Sequence, residues 1–348
     1  MDTTLGIWGK LPRGFSVLAP MEDVTDTVFR RIVCEVGAPD LFMTEFTSTD
    51  GLCSKAREKV VGRLRFAESE RPIIAQVWGT RPENFLRVGS EIRDMGFDGL
   101  DINMGCPVRK IIKGGACGAL INNPSLAQEL ISAAREGAAG LPVSVKTRIG
   151  VTRPNPEQWL GFLLSQGLSA LTVHGRTVSQ QSEGEADWSA IALAVRLRDS
   201  QGAPTRIIGN GDVRTAQAFH QRLAESGVDG IMIGRGVFEN LFIFNAIRGE
   251  VPAVERIEYS CLAPREKVLF FRRHVSSHRV TWGERGNFHA LKKFAKTYLR
   301  SFAGARDLID AVMHARRYAE ALDTLDAWLS SQDAHTGTGA TTEEPIAG

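Results

Sequence analysis

The chain is short of the features that mark several large protein classes. It carries five cysteines in 348 residues: Cys34, Cys53, Cys106, Cys117 and Cys261. They are odd in number, scattered, and contain no C-x-x-C pair. That argues against a disulfide framework and against the common zinc spacings, and points to reduced thiols. No apolar run reaches the length of a membrane span, and MDTTLGIWGK (1–10) does not read as a secretory leader. The expectation is a cytoplasmic protein with no membrane partner. No acidic cluster suggests a divalent metal. Net charge is only +2, which alone argues neither for nor against a nucleic-acid partner.

Also missing is the G-x-G-x-x-G that a doubly wound sheet places after its first strand; here that strand ends in APMEDVTD (19–26). What is present is alternation. Candidate strands are SVLAP (16–20), LFMTEF (41–46), PIIAQVW (72–78), GLDIN (99–103), PVSVKTR (142–148), ALTVHG (170–175), TRIIGN (205–210) and GIMIG (230–234). Most are apolar almost throughout, as strands buried on both faces are. Between them, segments such as 25–36, 82–95, 124–138, 156–166 and 215–226 repeat apolar residues at three and four, several after Ser, Thr, Asn or Pro start signals. Eight such units in roughly 250 residues are the count and length of a (β/α)8 TIM barrel. Residues 1–249 are assigned to it.

Beyond it, VPAVERIEYSCLAP (251–264) reads as a linker, and 264–330 as a small all-helical domain with helices within 265–278, 286–302 and 305–329. The polar 331–348 reads as a disordered tail. The stretch 265–300 holds ten basic residues (Arg265, Lys267, Arg272, Arg273, Arg279, Arg285, Lys292, Lys293, Lys296 and Arg300) against Glu266 and Glu284. A nearly neutral chain thus carries a basic C-terminal segment.

A barrel builds its active site at the C-terminal ends of its strands. Those positions hold Pro20 and Met21, Glu45, Gln76, Asn103 and Cys106, Lys146 and Arg148, His174 and Arg176, Asn210, Gly211 and Asp212, and Gly234, Arg235 and Gly236. Polar groups at a buried mouth must each be satisfied there, so a purely structural barrel has no need of them. The glycines after strands 7 and 8 let backbone N–H groups approach oxygens, and Arg235 adds a cationic fork, which together suit a phosphate. Ordinary turn glycines are the alternative. Lys146 supplies a fixed cation and Gln76 a carboxamide, a set that fits FMN better than a sugar phosphate alone. His174 can equally be a satisfied buried histidine, and Glu45 a structural carboxylate. Cys106 stands just past the apolar run GLDIN, between Gly105 and Pro107, where strands hand over to loops.

APMEDVTD (19–26), NMGCP (103–107), KGGACGAL (113–120), VKTRIG (145–150), VHGRT (173–177), NGD (210–212) and IGRG (233–236) occur in this order. On these motifs the chain resembles the tRNA-dihydrouridine synthases, from about residue 15 to 248 and more loosely through GNFHALKKFAKTYL. ADW (186–188) and the Trp-free segment around His289 to Lys293 lean towards the bacterial C-type subgroup.

The resemblance implies an FMN enzyme, reduced by NADPH, that reduces the C5–C6 bond of a D-loop uridine in tRNA. It implies hydride transfer to C6 and a proton to C5 from Cys106. A free thiol near ~8.5 is mostly protonated at neutral pH, so this role needs no depressed pKa. Pro20, Met21 and Glu22 would line the flavin, Gln76 and Lys146 its pyrimidine edge, and His174 its side. Asn210, Gly211, Asp212, Gly234 and Arg235 would hold the phosphate. Asn103, Arg176 and Glu45 would face the uracil, and Lys292, Lys293 and Lys296 would bind tRNA. Cys117 stands where the family has a small residue. The target base must leave its stack, and phosphate contacts elsewhere must supply affinity. Nothing calls for an obligate protein partner. The rivals are a small-molecule FMN-dependent dehydrogenase or reductase of the dihydropyrimidine type, and a tRNA-binding or chaperone protein with a vestigial barrel.

Overall fold

The computed structural model describes residues 5–249 and 262–336. They divide into two compact units, the division falling inside 250–261. Most of the expected linker lies outside the described residues.

The first unit is a ring of parallel strands: β1 (Phe15–Leu18), β2 (Phe42–Met43), β3 (Thr47–Ser48), β4 (Ile73–Trp78), β5 (Gly99–Met104), β6 (Val143–Arg148), β7 (Ala170–His174), β8 (Arg206–Asn210) and β9 (Gly230–Ile233). From β4 onward each strand pairs with the next, and β9 pairs with β1, with Phe15 opposite Gly230. Leu41 completes the ring: Leu18 N–H donates to its carbonyl and its own N–H donates to Ser16. The TIM barrel read from the sequence is therefore observed.

One strand differs from its expected form. The stretch 41–46 yields only the two-residue β2; β3 follows just past it at Thr47–Ser48, and both pair with β4. Between them Thr44 Oγ1, in place of a backbone carbonyl, accepts the Gln76 N–H at 3.0 Å.

The helices between strands are α1 (Thr27–Gly37), α2 (Thr49–Leu52), α3 (Pro82–Asp94), α4 (Arg109–Lys113), α5 (Pro124–Gly137), α6 (Pro156–Leu164), α7 (Trp188–Gln201) and α8 (Ala216–Ser226), followed by α9 (Gly236–Glu239) and α10 (Ile243–Arg248). Their starts follow ordinary capping chemistry. Asp26, Asn123, Asp187 and Thr215 accept N–H groups of the first turns, and proline opens α3, α5 and α6.

Alternate residues of a strand share a face. Within the ring that inward set is apolar low down and polar at the mouth: Ile74 then Gln76, Ala170 then His174, Ile208 then Asn210. Trp8, wholly buried ahead of β1, packs into the apolar part beside Phe15, Val17 and Leu41. The same strands that close the core thus deliver the mouth's polar groups.

The second unit is helical: α11 (Pro264–Trp282), α12 (Phe288–Tyr298), α13 (Ala305–His314) and α14 (Tyr318–Thr336). Two expectations are corrected here. The stretch 305–329 is two helices, because the Glu320 carboxylate takes the Arg316 N–H at 2.8 Å and starts a new helix without glycine or proline. And 331–336, read as tail, continues α14; the remainder, 337–348, lies outside the described residues. No helix among the described residues is long and apolar enough to cross a membrane.

Candidate active site at the barrel mouth

Fourteen of the residues named from the sequence line one cavity of about 230 Å³ at the C-terminal ends of the strands. They are Pro20, Met21, Asn103, Cys106, Lys146, Arg148, His174, Arg176, Asn210, Gly211, Asp212, Gly234, Arg235 and Gly236, joined by Phe46, Arg214 and Met232.

Cys106 is held from two sides. Asn103 Oδ1 accepts the N–H groups of Gly105 and Cys106 at 3.0 and 2.9 Å. Arg148 Nε donates to the Gly105 carbonyl at 2.7 Å, while its Nη1 donates to the carbonyls of Thr177 and Gln181. Cys106 and Cys117 share a small apolar cluster with Phe46. The hydrogen bond with Cys117 is the chief reason the Cys106 thiol lies down at about 7, outweighing its burial. Burial pushes Cys117 well up. Cys106 is thus a stronger acid than a free cysteine, although the donor role does not require it, and the second thiol makes it so.

Lys146 Nζ donates to Asn210 Oδ1 at 3.0 Å, and Asn210 Nδ2 donates to the Met232 carbonyl at 2.9 Å, which fixes that amide's orientation. Burial, with Arg148 adding repulsion, lowers the lysine to about 8. His174 is held neutral by burial and by the cations Lys146, Arg148, Arg176 and Arg235. Arg176 donates to its Nε2 at 3.2 Å, so the ring proton sits on Nδ1.

Arg176 is the clearest departure. Expected to donate to uracil, it is only 2 % exposed and its Nε and Nη2 donors are turned to protein acceptors. Nη2 meets both Asp212 oxygens at 2.7 Å and the Gly184 carbonyl at 2.6 Å, and Nε meets the Glu183 carbonyl. Asp212, expected on the phosphate side, is neutralised in turn. It accepts from Arg176, from Arg235 at 3.3 Å and from the Ala186 N–H at 2.8 Å. Burial works to raise its carboxyl, but these donors hold it below the ordinary range.

The glycines separate into two kinds. A Cβ on Gly211, whose φ is +139°, would meet Ala186 Cβ at 2.4 Å, and one on Gly236 would meet the Val213 carbonyl at 2.6 Å. Protein packing explains both. Gly234 has no such reason: its Cβ would find only ordinary contacts, the nearest at 3.6 Å, and it faces the cavity. Bareness there leaves room for a ligand to come close to the backbone.

Six expected residues stand elsewhere, three in the barrel and three in the second unit. Gln76 is fully buried and out of the lining, bonded to Asp101 and Asn103. Glu22 pairs with Arg63 at 2.9 Å. Glu45 is buried, with Oε1 unpartnered, and burial with the Asp26 charge raises it to about 7. Lys292, Lys293 and Lys296 lie on α12 in the second unit. Lys292 donates to the Met313 carbonyl at 2.7 Å, whereas Lys293 and Lys296 are exposed. The basic excess of 265–300 is smaller in space than in sequence, since Arg272 pairs with Asp326, Arg279 pairs with Glu284, and Lys267 is buried.

Sequence reasoning missed Asp101 and Ser144. The signal was available: an aspartate within the apolar run GLDIN must find partners once that run is buried. No group of His, Cys, Asp and Glu among the described residues is arranged to hold a metal.

Comparison with known proteins agrees with the motif pattern. The family model described as "Dihydrouridine synthase (Dus)" matches residues 17–333. The chain is 42% identical over 326 residues to "Probable tRNA-dihydrouridine synthase 2" of Bacillus subtilis, covering 93% of this chain and 96% of that one. It is 39% identical over 332 residues to "Probable tRNA-dihydrouridine synthase" of Staphylococcus epidermidis, covering 94% and 98%. A barrel whose mouth gathers NMGCP, VHGRT, NGD and IGRG, matched over nearly its whole length, belongs to the dihydrouridine synthase family.

Proposed function

We propose that this protein is a cytoplasmic tRNA-dihydrouridine synthase that reduces the C5–C6 bond of a D-loop uridine, with FMN as its cofactor and NADPH as the reductant. The donor set suits FMN. The ammonium of Lys146 keeps donors beyond its bond to Asn210, the Gly234 backbone is bare, Arg235 is half-exposed at the rim, and Met21 and Met232 give apolar walls. When bound, FMN would supply the hydride chemistry, two electrons from NADPH delivered to C6 of the base.

The chain's own residues supply the rest. Lys146 offers positive charge where a reduced flavin's ring edge becomes anionic. Gly234 and Arg235 hold the phosphate, and Asp212 with Arg176 keeps Arg235 and His174 in place. Cys106 gives its proton to C5 as charge develops there, and a thiol near 7 is well matched to a donor at neutral pH. Lys293 and Lys296 meet tRNA phosphates.

The observation that carries this reading is Cys106, held by Asn103 and Arg148 in the same cavity that Lys146 lines. The test uses purified enzyme, NADPH and tRNA lacking dihydrouridine, with the product mapped by mass spectrometry. Cys106→Ala should keep FMN and its reduction by NADPH, yet lose most dihydrouridine formation, by about a hundredfold or more. Full turnover in that variant would end the proton-donor role. Reduction of free uracil with no action on tRNA would move the protein to the dihydropyrimidine reductases.

A further inference from the structure

Asp101 is a buried charge that meets no ligand. It lies in mid-β5, two residues nearer the barrel floor than Asn103, fully buried and outside the cavity lining. Its Oδ1 accepts from Ser144 Oγ at 2.6 Å and its Oδ2 from Gln76 Nε2 at 2.7 Å. Gln76 Oε1 then accepts from Asn103 Nδ2 at 2.9 Å, and Asn103 Oδ1 accepts from Gly105 and Cys106. The bonds therefore run in one direction from the backbone of the cysteine loop to a carboxylate.

That direction has a cause. A carboxylate only accepts, whereas each amide has two ends of nearly equal shape and opposite polarity. Facing Asp101, Gln76 must turn its N–H inward, which turns its oxygen towards Asn103. Asn103 must then give its N–H to Gln76 and keep its oxygen for the cysteine loop. A reversed Asn103 would set N–H against N–H at both Gly105 and Cys106. Strand pairing does not need this device, because β4, β5 and β6 pair in continuous parallel register through their backbones, and buried charge is costly to keep.

On the reading of this mouth as a synthase site, we propose that Asp101 is a positioning residue: through Gln76 and Asn103 it sets the place at which the Cys106 thiol is held. Asp101→Ala removes the fixed acceptor. Asp101→Asn can still accept from Gln76 while turning its NH₂ to Ser144 Oγ.

The test compares both variants as holoenzymes with three readouts. These are flavin reduction by NADPH, reoxidation of the reduced enzyme by unmodified tRNA, and the pH midpoint of Cys106 alkylation by iodoacetamide, with Cys117 scored separately by mass spectrometry. In Asp101→Ala, flavin reduction should stay within about threefold and the tRNA step should slow by about tenfold or more. The alkylation midpoint should rise as the thiol leaves Cys117. Asp101→Asn should restore both. Asn and Ala behaving alike in the tRNA step and midpoint would overturn the proposal. So would FMN content, flavin reduction and the tRNA step falling together in both variants, which is the signature of a fold defect. If the Ala variant does not fold, Gln76→Met severs the chain with Asp101 in place, and the alkylation midpoint alone decides: an unmoved midpoint refutes the proposal. That midpoint reads the relay whatever the substrate, so an enzyme inactive on tRNA would sink the functional reading and leave this one still decided by its own measurement.

Discussion

Removing the Cys117 thiol should move the alkaline limit of catalysis. The Cys106 thiol lies at about 7 rather than 9.0, chiefly because Cys117 hydrogen-bonds to it. Cys117→Ala deletes that partner and should release Cys106 by as much as two pKa units, equivalent to about 2.7 kcal/mol. A hydrogen bond to a charged group contributes about 1.5–3 kcal/mol, so this one contact is large enough. Loss of a buried sulfur should reduce stability by only about 1 kcal/mol. A proton donor works while protonated, so the reaction is present below the thiol's pKa and fades as pH rises through it. Wild-type reoxidation by tRNA should decline through about pH 7, and that of Cys117→Ala towards about pH 9. At about pH 8 the variant holds roughly ten times more protonated thiol. At about pH 6 both are protonated, and the weaker acid should be the slower donor, so the two profiles cross. Cys117→Ser keeps a hydroxyl donor and should keep the wild-type limb. Anaerobic stopped-flow of NADPH-reduced enzyme against unmodified tRNA gives the profile. An alkaline limb that stays near 7 in Cys117→Ala would refute the reasoning.

Two further outcomes are expected. Glu45 is raised from 4.5 to about 7, so the folded state keeps a proton that the unfolded chain has released, and stability should fall as pH rises from 4.5 to 7. Glu45→Gln should recover up to about 3 kcal/mol at pH 8 and almost none at pH 4.5, read by urea unfolding at both; equal effects would exclude the titration. Converting Lys293 and Lys296 to Gln should lower the slope of tRNA affinity against salt by about 1.5 without changing flavin content, and an unaltered slope would place the phosphate contacts elsewhere.

The barrel was legible because its strands announce themselves twice, as apolar runs and as single polar residues at their ends. β2 and β3 were not, because Thr44 breaks the strand with a side chain that composition reads as strand-forming. The tail was misread for a related reason: Ser331 to Thr336 look like linker, yet they extend a helix already nucleated at Tyr318. Within the site, position was legible and partnership was not. Arg176 and Asp212 each read as ligand-binding because each sits at a strand end. Only the fold shows that they face one another and leave Arg235 as the outward cation. Gln76 was placed on the correct strand, but the aspartate that turns it inward lies on the next one.

The pairing of β1 with β9 also bears on how the chain is made. Phe15 and Gly230 are neighbours in the ladder but sit at opposite ends of the barrel's sequence. On a ribosome, β1 emerges first and can meet Leu41 early, but its other edge waits for roughly two hundred residues, on the order of 10–40 s of synthesis, before β9 exists. Until then the nascent sheet can grow from β4 upward but cannot become a ring. The closing pair is also the contact of longest loop, so its formation should be the slow step of folding. A mouth that gathers groups from strands around the whole ring, β9 included, is therefore assembled last, and a truncated chain ending before β9 should bind no cofactor however well its other strands have paired.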